Sequence, residues 1–232
     1  MTGRGYPRRR HTEVLGELLP LAGSRIVDIG CGAGPLVRAL TRKGAIMTGV
    51  EPQAARIAEA QAAERMGGEH YFEGGAEALP LPAASQDAAI FFNSLHHVPV
   101  ALLERAFAEA HRVLVAGGWL CVVEPLAEGA AYELGKPIDD ERAVRAEAYA
   151  AVQRAAASPA WRQAAEIFYD TEVVYADFET ARRDFEKVDP ARAAQVAAQR
   201  ESWERAFHAL GRRTEAGWAF SQPMRANLLA RQ

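Results

Sequence analysis

Asp28 and three alternate glycines lie in residues 26–34, the segment of the chain with the clearest chemical pattern. Glycine lets the backbone turn tightly and approach a bound ligand closely. Where such a turn opens a helix, free N–H groups at the helix start face anionic parts of a ligand. Glu51 ends the next apolar run, and an acid there can accept hydrogen bonds from both hydroxyls of a ribose. These residues predict a cofactor-binding site.

The spacing of the glycines separates two classes of cofactor. A dinucleotide site is expected to read G-x-G-x-x-G or G-x-G-x-x-A. This chain has Gly30, Gly32 and Gly34, with Pro35 where the last glycine of the dinucleotide pattern would stand. The spacing therefore argues against a nicotinamide oxidoreductase.

Apolar runs alternate with amphipathic segments around these residues. The runs predict five strands, at residues 25–29, 45–50, 70–73, 87–92 and 119–123. The segments between them predict helices, at residues 34–43, 53–66 and 100–114. Strands that alternate with helices in this way are typical of a parallel sheet, so we expect an α/β fold with a doubly wound, mostly parallel sheet.

The composition changes after Pro125. Residues 126–165 are rich in Ala and charged residues and predict helices, residues 172–178 predict a strand, and residues 190–210 predict a long helix. Twelve of the 19 aromatic residues follow Pro125, so we expect this half to hold a second core and to wall an apolar substrate pocket. The organisation predicted is one domain (residues 1–232), with a cofactor-binding core at 20–125, a helical lid with one strand at 126–211, and a last strand at 217–230.

Charge and cysteine content limit the partners and the compartment. A protein that binds nucleic acid non-specifically needs a basic surface, and the net charge of −3 does not indicate one. Arg4, Arg8, Arg9 and Arg10 form a local exception, which we interpret as a solvated arm. The sequence contains no signal-peptide pattern and no membrane-span pattern, and its two cysteines are not in a metal-ligand spacing. We therefore expect a cytoplasmic protein with no membrane partner and no metal site.

Four segments in order resemble the class I S-adenosylmethionine-dependent methyltransferases. The D-x-G-x-G-x-G pattern at residues 28–34 is similar to the first motif of that family, and residues 73–82 resemble its adenine-binding loop. Residues 87–98 resemble its fourth strand and active-site loop, and residues 112–118 resemble the approach to its fifth strand. The chain looks most like the small-molecule subgroup that includes the ubiquinone and menaquinone biosynthesis methyltransferases. The resemblance covers about residues 20–125 and implies a Rossmann-like sheet of seven strands whose last strand is antiparallel.

The resemblance also implies roles for individual residues. Asp28 should order the glycine turn near the amino-acid end of S-adenosylmethionine, Glu51 should hold the ribose, and Asn93 should offer a carbonyl near the ammonium group. The complete set of expected cofactor-binding residues is Asp28, Gly30, Cys31, Gly32, Glu51, Pro52, Ala76, Glu77 and Asn93.

One position departs from the family pattern. The family often has an acid just before the alanine of the adenine loop, and here that position is Gly75. Either Glu77 takes over the contact with the adenine amine, or backbone groups alone read the adenine. Cys31 lies beside the cofactor by its position in the motif, and we interpret it as a small residue that fills space.

His96 and His97 follow the fourth strand and are the candidate catalytic residues. A neutral imidazole there can accept the proton of an acceptor group, or orient the acceptor by a hydrogen bond. Because neighbouring side chains of an extended segment point opposite ways, we expect only one of the two to face the methyl group, with His96 favoured. Glu124 ends the fifth strand and faces the crevice at the strand carboxyl ends, where open α/β sheets bind ligands. We interpret it and the acids that follow it mainly as a solvated face or as helix-start carboxylates, and a cation-binding site is the minority alternative.

The sequence therefore predicts an S-adenosylmethionine-dependent methyltransferase that acts on a small molecule by in-line transfer. DNA-modifying relatives carry a proline-proline-aromatic stretch after the fourth strand, where this chain has Ser94-Leu95-His96, so nucleic acid is not the expected substrate. The alternative is a non-catalytic S-adenosylmethionine-binding partner or regulatory protein. The motifs leave open whether the acceptor is O, N, S or C, and they leave the oligomeric state open.

Overall fold

Eight strands and eight α-helices make up the described part of the chain. The structure is a computed structural model that describes residues 5–187 and 190–232. The strands are β1 (Arg25–Ile29), β2 (Ile46–Glu51), β3 (His70–Glu73), β4 (Gln86–Phe92), β5 (Leu114–Pro125), β6 (Trp161–Tyr175), β7 (Arg212–Thr214) and β8 (Gly217–Arg231). The helices are α1 (His11–Leu18), α2 (Pro35–Thr41), α3 (Ala54–Ala62), α4 (Leu103–Val113), α5 (Ala130–Gly135), α6 (Arg142–Ala157), α7 (Phe178–Glu186) and α8 (Pro190–Leu210), with two short 3₁₀ helices at Leu95–His97 and Val100–Leu102.

The strands lie in the sheet in the order β3-β2-β1-β4-β5-β8-β6, and β7 pairs with β8. The pairs β1–β2, β2–β3, β1–β4 and β4–β5 are parallel, and β7–β8 is antiparallel. From β1 the chain proceeds one way to β3 and then returns to β4 on the other side of β1. This reversal between β1 and β4 is the topological switch point where open α/β sheets bind ligands. The predicted α/β, doubly wound class is confirmed, and the short β7 makes an eighth strand beyond the seven expected.

The central strands are buried because both of their faces carry apolar side chains. Val27 and Ile29 of β1 and Ala89 and Phe91 of β4 lie in one cluster of buried residues, with almost no exposed surface. Helix α4 joins the same cluster through side chains that recur every three or four residues: Leu103, Ala106, Phe107, Ala110 and Val113. This packing fixes the carboxyl ends of β1 and β4, where the candidate site residues begin.

Three local predictions were wrong. Residues 161–165, expected to be helical, begin β6, because Pro159 follows the end of α6 and sheet pairing overrides the helix propensity of Ala164 and Ala165. Phe178, expected in a strand, begins α7, whose N-cap Asp177 accepts a hydrogen bond from the Thr180 N–H. The fifth strand, expected to begin at residue 119, begins at Leu114 and includes Gly117 and Gly118, where the register with β4 shifts.

The chain divides into two compact units. Among the described residues, the larger contains residues 10–124, 144–167 and 225–232, and the smaller contains residues 5–9, 125–143, 168–187 and 190–224. All of the candidate cofactor and catalytic residues belong to the larger unit. The single domain and the lid boundaries expected from the sequence remain predictions.

The smaller unit has an aromatic core of its own. Trp203 and Phe207 of α8 pack with Phe178 of α7 and Phe220 of β8, and all four are at most 4% exposed. The Trp203 ring lies 5.3 Å from that of Phe178 in an edge-on arrangement, and its indole N–H donates to the Leu134 carbonyl at 2.8 Å. Many of the aromatic residues after Pro125 therefore form a core, as expected.

The arginine-rich start of the chain is attached to β6. The backbone of Arg8 forms a parallel bridge with Asp170, and the Arg9 N–H donates to the Asp170 carbonyl at 2.8 Å. The Arg8 guanidinium pairs with Glu172 at 2.5 Å. The side chains of Arg8 and Arg10 are exposed, as expected of a solvated arm, but backbone pairing with β6 orders Arg8 and Arg9. Arg4 lies outside the described residues. In the part of the chain that the structure describes, no helix combines the length and the apolar character needed to cross a membrane.

We expect Trp203→Ala to lower the free energy of unfolding by about 3–5 kcal/mol, because it opens a cavity in the aromatic core. Trp203→Phe keeps a ring but leaves the buried Leu134 carbonyl without its donor, which should cost about 1–3 kcal/mol. Urea unfolding followed by circular dichroism measures both values. Trp218→Phe, at a partly exposed ring, is the control and should cost less than either. Equal losses in all three variants would contradict this account of the core.

Candidate functional site

The glycine turn, residues 30–34, connects β1 to α2 and uses backbone angles that other residues rarely adopt. Gly30, Gly32 and Gly34 have φ values of +78°, +54° and +75°. A methyl group added at Gly30 would lie 2.5 Å from Ser94 Cβ, and one added at Gly34 would lie 2.6 Å from the Tyr71 ring. At Gly32 an added methyl group would meet no atom within 4 Å. Packing therefore explains two of the glycines, whereas Gly32 borders open space that a ligand can enter.

Glu51, at the end of β2, ties the glycine turn to the sheet. One carboxylate oxygen accepts from the Gly32 N–H at 3.0 Å, and the other accepts from the Gln53 N–H at 3.1 Å. The side chain is buried, and Pro52 beside it is exposed. A carboxylate oxygen can accept more than one hydrogen bond, so Glu51 retains acceptor capacity for a ligand hydroxyl.

Asp28, on β1, is a buried acid that lacks a full set of partners. Its exposed fraction is 2%, and its Oδ1 has no hydrogen-bond partner among the described residues. Burial, together with the negative charge of Glu51, raises the pKa of Asp28 to about 8. A ligand cation that supplied the missing partner would therefore be stabilised by the Asp28 carboxylate.

Cys31 fills space between the glycine turn and β2, as expected from the sequence. It is 5% exposed, and a methyl group added at Gly49 would lie 2.7 Å from its sulfur. Burial raises the pKa of the Cys31 thiol, so it stays protonated.

The loop after β3 contains Ala76 and Glu77, the two residues expected at the adenine. Ala76 is buried in the apolar cluster of β1 and β4, and Glu77 is partly exposed. A methyl group added at Gly75 would coincide with the Glu77 carboxylate. The acid of Glu77 therefore occupies the space that a side chain at position 75 would take, which supports the first of the two alternatives for this loop.

The loop after β4 turns sharply at Asn93, which has a left-handed φ of +52°. Its N–H donates to the Val123 carbonyl of β5 at 2.9 Å. The Ser94 hydroxyl then donates to the Ile29 carbonyl at 2.6 Å, which links this loop to the last residue of β1. The loops that follow β1 and β4 are therefore held together at the switch point.

His96 and His97 lie in a 3₁₀ helix, so the expectation of an extended segment with opposed side chains is wrong. Successive residues of a 3₁₀ helix are turned by about 120° about its axis, and the two ring centroids lie 4.0 Å apart. His96 is buried and His97 is exposed. The structure therefore brings the two imidazoles together in different surroundings.

Glu124 is the residue whose part in the site the sequence did not predict. One oxygen of its buried carboxylate accepts from the N–H groups of Ser94 and Leu95, at 3.2 and 2.8 Å. The other oxygen contacts His96 Nδ1. Glu124 is not solvated, and it caps the start of the 3₁₀ helix at Leu95–His97 from another element instead of starting a helix of its own. The signal in the sequence was an acid at the carboxyl end of a central strand. Because a carboxylate can only accept, this contact makes Nδ1 the donor of the His96 ring.

His11 is a second residue that sequence reasoning missed, and it lies beside the strand that leads into the loop of His96 and His97. At the start of α1 its ring meets that of Phe92, the last residue of β4, edge-on at 4.7 Å. Burial lowers the pKa of His11 to about 4, so the ring is neutral at physiological pH.

Comparisons with known proteins find similarity to methyltransferases over part of the chain. Residues 27–122 match the family described as a methyltransferase domain. Ubiquinone biosynthesis O-methyltransferase of Paracidovorax citrulli is 37% identical over 108 residues, covering 44% of this chain and 44% of that protein. The 27-O-demethylrifamycin SV methyltransferase of Amycolatopsis mediterranei is 37% identical over 119 residues, covering 49% of this chain and 43% of that protein. The match thus spans less than half the length of either relative.

A solved structure extends the likeness to the whole fold. The YcgJ protein of Bacillus subtilis has a TM-score of 0.60 and 18% sequence identity, over 95% of this chain and 97% of that one. At this identity the likeness concerns the fold. It includes the half of the chain that follows the matched domain.

We expect Asp28→Asn to stabilise the ligand-free protein at high pH but not at low pH. Because the folded-state pKa of Asp28, about 8, lies above its ordinary value of 3.8, its stability contribution is complete below pH 3.8 and is lost as the pH rises toward 8. The neutral amide of the variant has no such loss. Melting temperatures measured from pH 4 to pH 9 should diverge progressively, with the variant more stable above pH 7. Parallel curves would contradict the buried, unpaired state of Asp28.

Proposed function

We propose, from the premise that residues 27–122 are a methyltransferase domain, that this protein transfers the methyl group of S-adenosylmethionine to a hydroxyl of a small molecule. The observation that carries the proposal is the open space at Gly32, bordered by the turn that Glu51 holds and following the strand of Asp28. When bound, S-adenosylmethionine supplies a methyl group made electrophilic by its sulfonium. The protein's own residues bind the cofactor, orient the acceptor and remove its proton.

The described residues fit the charges and shapes of this cofactor. The unpaired Oδ1 of Asp28 suits an ammonium group, which would hold Asp28 in its charged form. The acceptor capacity of Glu51 suits the ribose hydroxyls, and Pro52 follows it. Ala76 offers an apolar surface to the adenine and Glu77 an acceptor for its amine. Gly30, Cys31, Gly32 and Asn93 complete the predicted set, with glycines where a ligand passes close to the backbone.

His96 is the base that we propose for the acceptor. Glu124 holds Nδ1 as the donor, so Nε2 is the nitrogen that we propose takes the proton of a hydroxyl. The Glu124 carboxylate also stabilises the imidazolium that results. Its bonds to the Ser94 and Leu95 N–H groups fix the loop that carries the ring. His97, exposed beside it, is the second candidate for the base.

The relatives favour an oxygen acceptor, since one is named an O-methyltransferase of ubiquinone biosynthesis. A base oriented by a buried carboxylate suits such an acceptor, because a hydroxyl becomes a strong nucleophile only when its proton leaves. The alternative, a non-catalytic S-adenosylmethionine-binding partner, has no need for the His96–Glu124 pair. We assign the protein to the cytoplasm, which the two free and buried thiols, Cys31 and Cys121, support.

We expect the protein to bind S-adenosylhomocysteine and not NAD, and Gly32→Ala to abolish most of that binding. The added methyl group meets no protein atom, so the ligand-free fold bears only the strain of a left-handed alanine, about 1–2 kcal/mol. Gly23→Ala is the matched control. Gly23 has a φ of +74° and equally open surroundings, but it precedes β1 instead of following it. Calorimetric titration should show lost affinity in the first variant and unchanged affinity in the second, and equal affinities in both would refute the assignment of the site.

We expect His96→Asn to lower turnover by about 10²–10⁴-fold and to remove the acidic limb of the pH–rate profile. Glu124→Gln should do nearly the same. Its amide oxygen can still accept from the Ser94 and Leu95 N–H groups, but its NH₂ group would face His96 Nδ1 and force the proton onto Nε2. His97→Asn is the control. Labelled-methyl transfer to a panel of phenols and other hydroxyl compounds provides the assay. Loss of turnover in His97→Asn alone would move the base to His97, and near-native turnover in all three variants would leave positioning as the only catalytic contribution.

A further inference from the structure

Arg112, near the end of α4, contacts the loop between β3 and β4. Its guanidinium donates to the Leu81 carbonyl at 2.8 Å and to the Leu79 carbonyl at 2.9 Å. These two carbonyls flank Pro80 and follow Ala76 and Glu77 by only a few residues. One planar group therefore fixes two points of the loop whose start is the proposed adenine contact.

Glu109 completes this arrangement on the same helix. Its carboxylate receives two charge-assisted bonds from Arg112, at 2.7 Å each, and it also accepts from the Leu79 N–H at 2.8 Å. The bond from Arg112 holds the pKa of Glu109 below its usual range, so the acid is charged at neutral pH. Both polar groups of the Leu79 backbone are thus bound by one ion pair.

The end of α4 fixes the rest of the loop as well. The carbonyl of Arg112 accepts from the Ala84 N–H and that of Val113 accepts from the Ser85 N–H, both at 2.9 Å. The Leu79 side chain is 4% exposed and lies in the apolar cluster with α4. The loop is therefore attached to α4 by side-chain packing, by backbone hydrogen bonds and by the ion pair.

We propose that the Arg112–Glu109 pair positions the adenine-binding loop and so sets the affinity and the base selectivity for the cofactor. This inference rests on the proposed function, since it takes Ala76 and Glu77 as the adenine contacts. Neither Arg112 nor Glu109 contacts the reacting atoms, so both are positioning residues. A loop released from α4 would lose the fixed placement of Glu77, while the glycine turn and the His96–Glu124 pair would keep theirs.

The test compares two ligands that differ only in the base. Titration with S-adenosylhomocysteine and with S-inosylhomocysteine, in which an oxygen replaces the adenine amine, measures selectivity. We expect Arg112→Lys to weaken binding of the first about tenfold and of the second much less, because lysine cannot bridge two carbonyls and a carboxylate at once. The KM for S-adenosylmethionine should rise while kcat at saturation stays near the wild-type value. A general loss of stability would weaken both ligands equally.

Two further variants keep the proposal falsifiable. Glu109→Gln retains an acceptor for the Leu79 N–H but loses the charge. It should lower the ratio of the two affinities less than Arg112→Lys does. Arg105→Lys changes an exposed arginine of the same helix and should leave both affinities unchanged. If wild-type protein binds S-adenosylhomocysteine and Arg112→Lys and Glu109→Gln keep its full selectivity, this inference is overturned and the proposed function stands. If the wild-type protein binds neither ligand, the proposed function itself fails, and this inference fails with it.

Discussion

The Glu51 carboxylate accepts one hydrogen bond from the Gly32 N–H and one from the Gln53 N–H, and this places the turn after β1 against the end of β2. A hydrogen bond to a charged acceptor contributes about 1.5–3 kcal/mol, enough to hold a turn that left-handed angles would otherwise strain. With this turn held, the open space at Gly32 has a fixed border. The sheet supplies the rest of the geometry, since the carboxyl ends of parallel β1, β2 and β4 meet at one edge.

Three buried acids lie on β1, β2 and β5, and their hydrogen-bond partners differ. Glu51 and Glu124 are each satisfied largely by backbone N–H groups, which bind the carboxylate and fix the loops around it. Asp28 has an oxygen without a partner among the described residues and a raised pKa. Burying an unpaired polar group costs free energy unless a ligand later supplies the partner. Glu124 therefore suits a role in positioning and Asp28 suits a role in binding, whereas Glu51, which holds the turn and retains acceptor capacity, suits both.

The two compact units divide the chemistry from the aromatic core. The larger unit contains each residue that we assign to the cofactor, the base and the adenine loop. The smaller unit is built around Trp203 and Phe207. The Trp203 ring lies edge-on to that of Phe178, and the Phe207 ring is tilted against that of Phe220. Tyr175 and Trp218 are partly buried and pack against this core.

The sequence by itself determined the features that rest on local backbone chemistry. Alternate glycines after an apolar strand favour a left-handed turn, and alternating periodicities over residues 25–123 predict the parallel sheet whose loops return to one edge. The glycine motif and Glu51 can accordingly be located from the order of residues alone, whereas the adenine-binding role of the loop after β3 rests on the family resemblance and stays a proposal. These signals depend on near neighbours in the chain, which is why they can be seen in it.

Only the tertiary structure decided the contacts between distant residues. Glu124 meets His96 across 28 positions, and Arg112 meets Leu79 across 33, so no local pattern distinguishes these side chains from solvated ones. The 3₁₀ turn that sets His96 and His97 side by side is fixed by the bonds from Ser94 and Leu95 to Glu124, not by the propensity of the histidines themselves. Likewise β6 is a strand because of its sheet partner, although its alanines favour a helix. Burial and partnership are properties of the folded chain, and they turn an ordinary acid or arginine into a positioning residue.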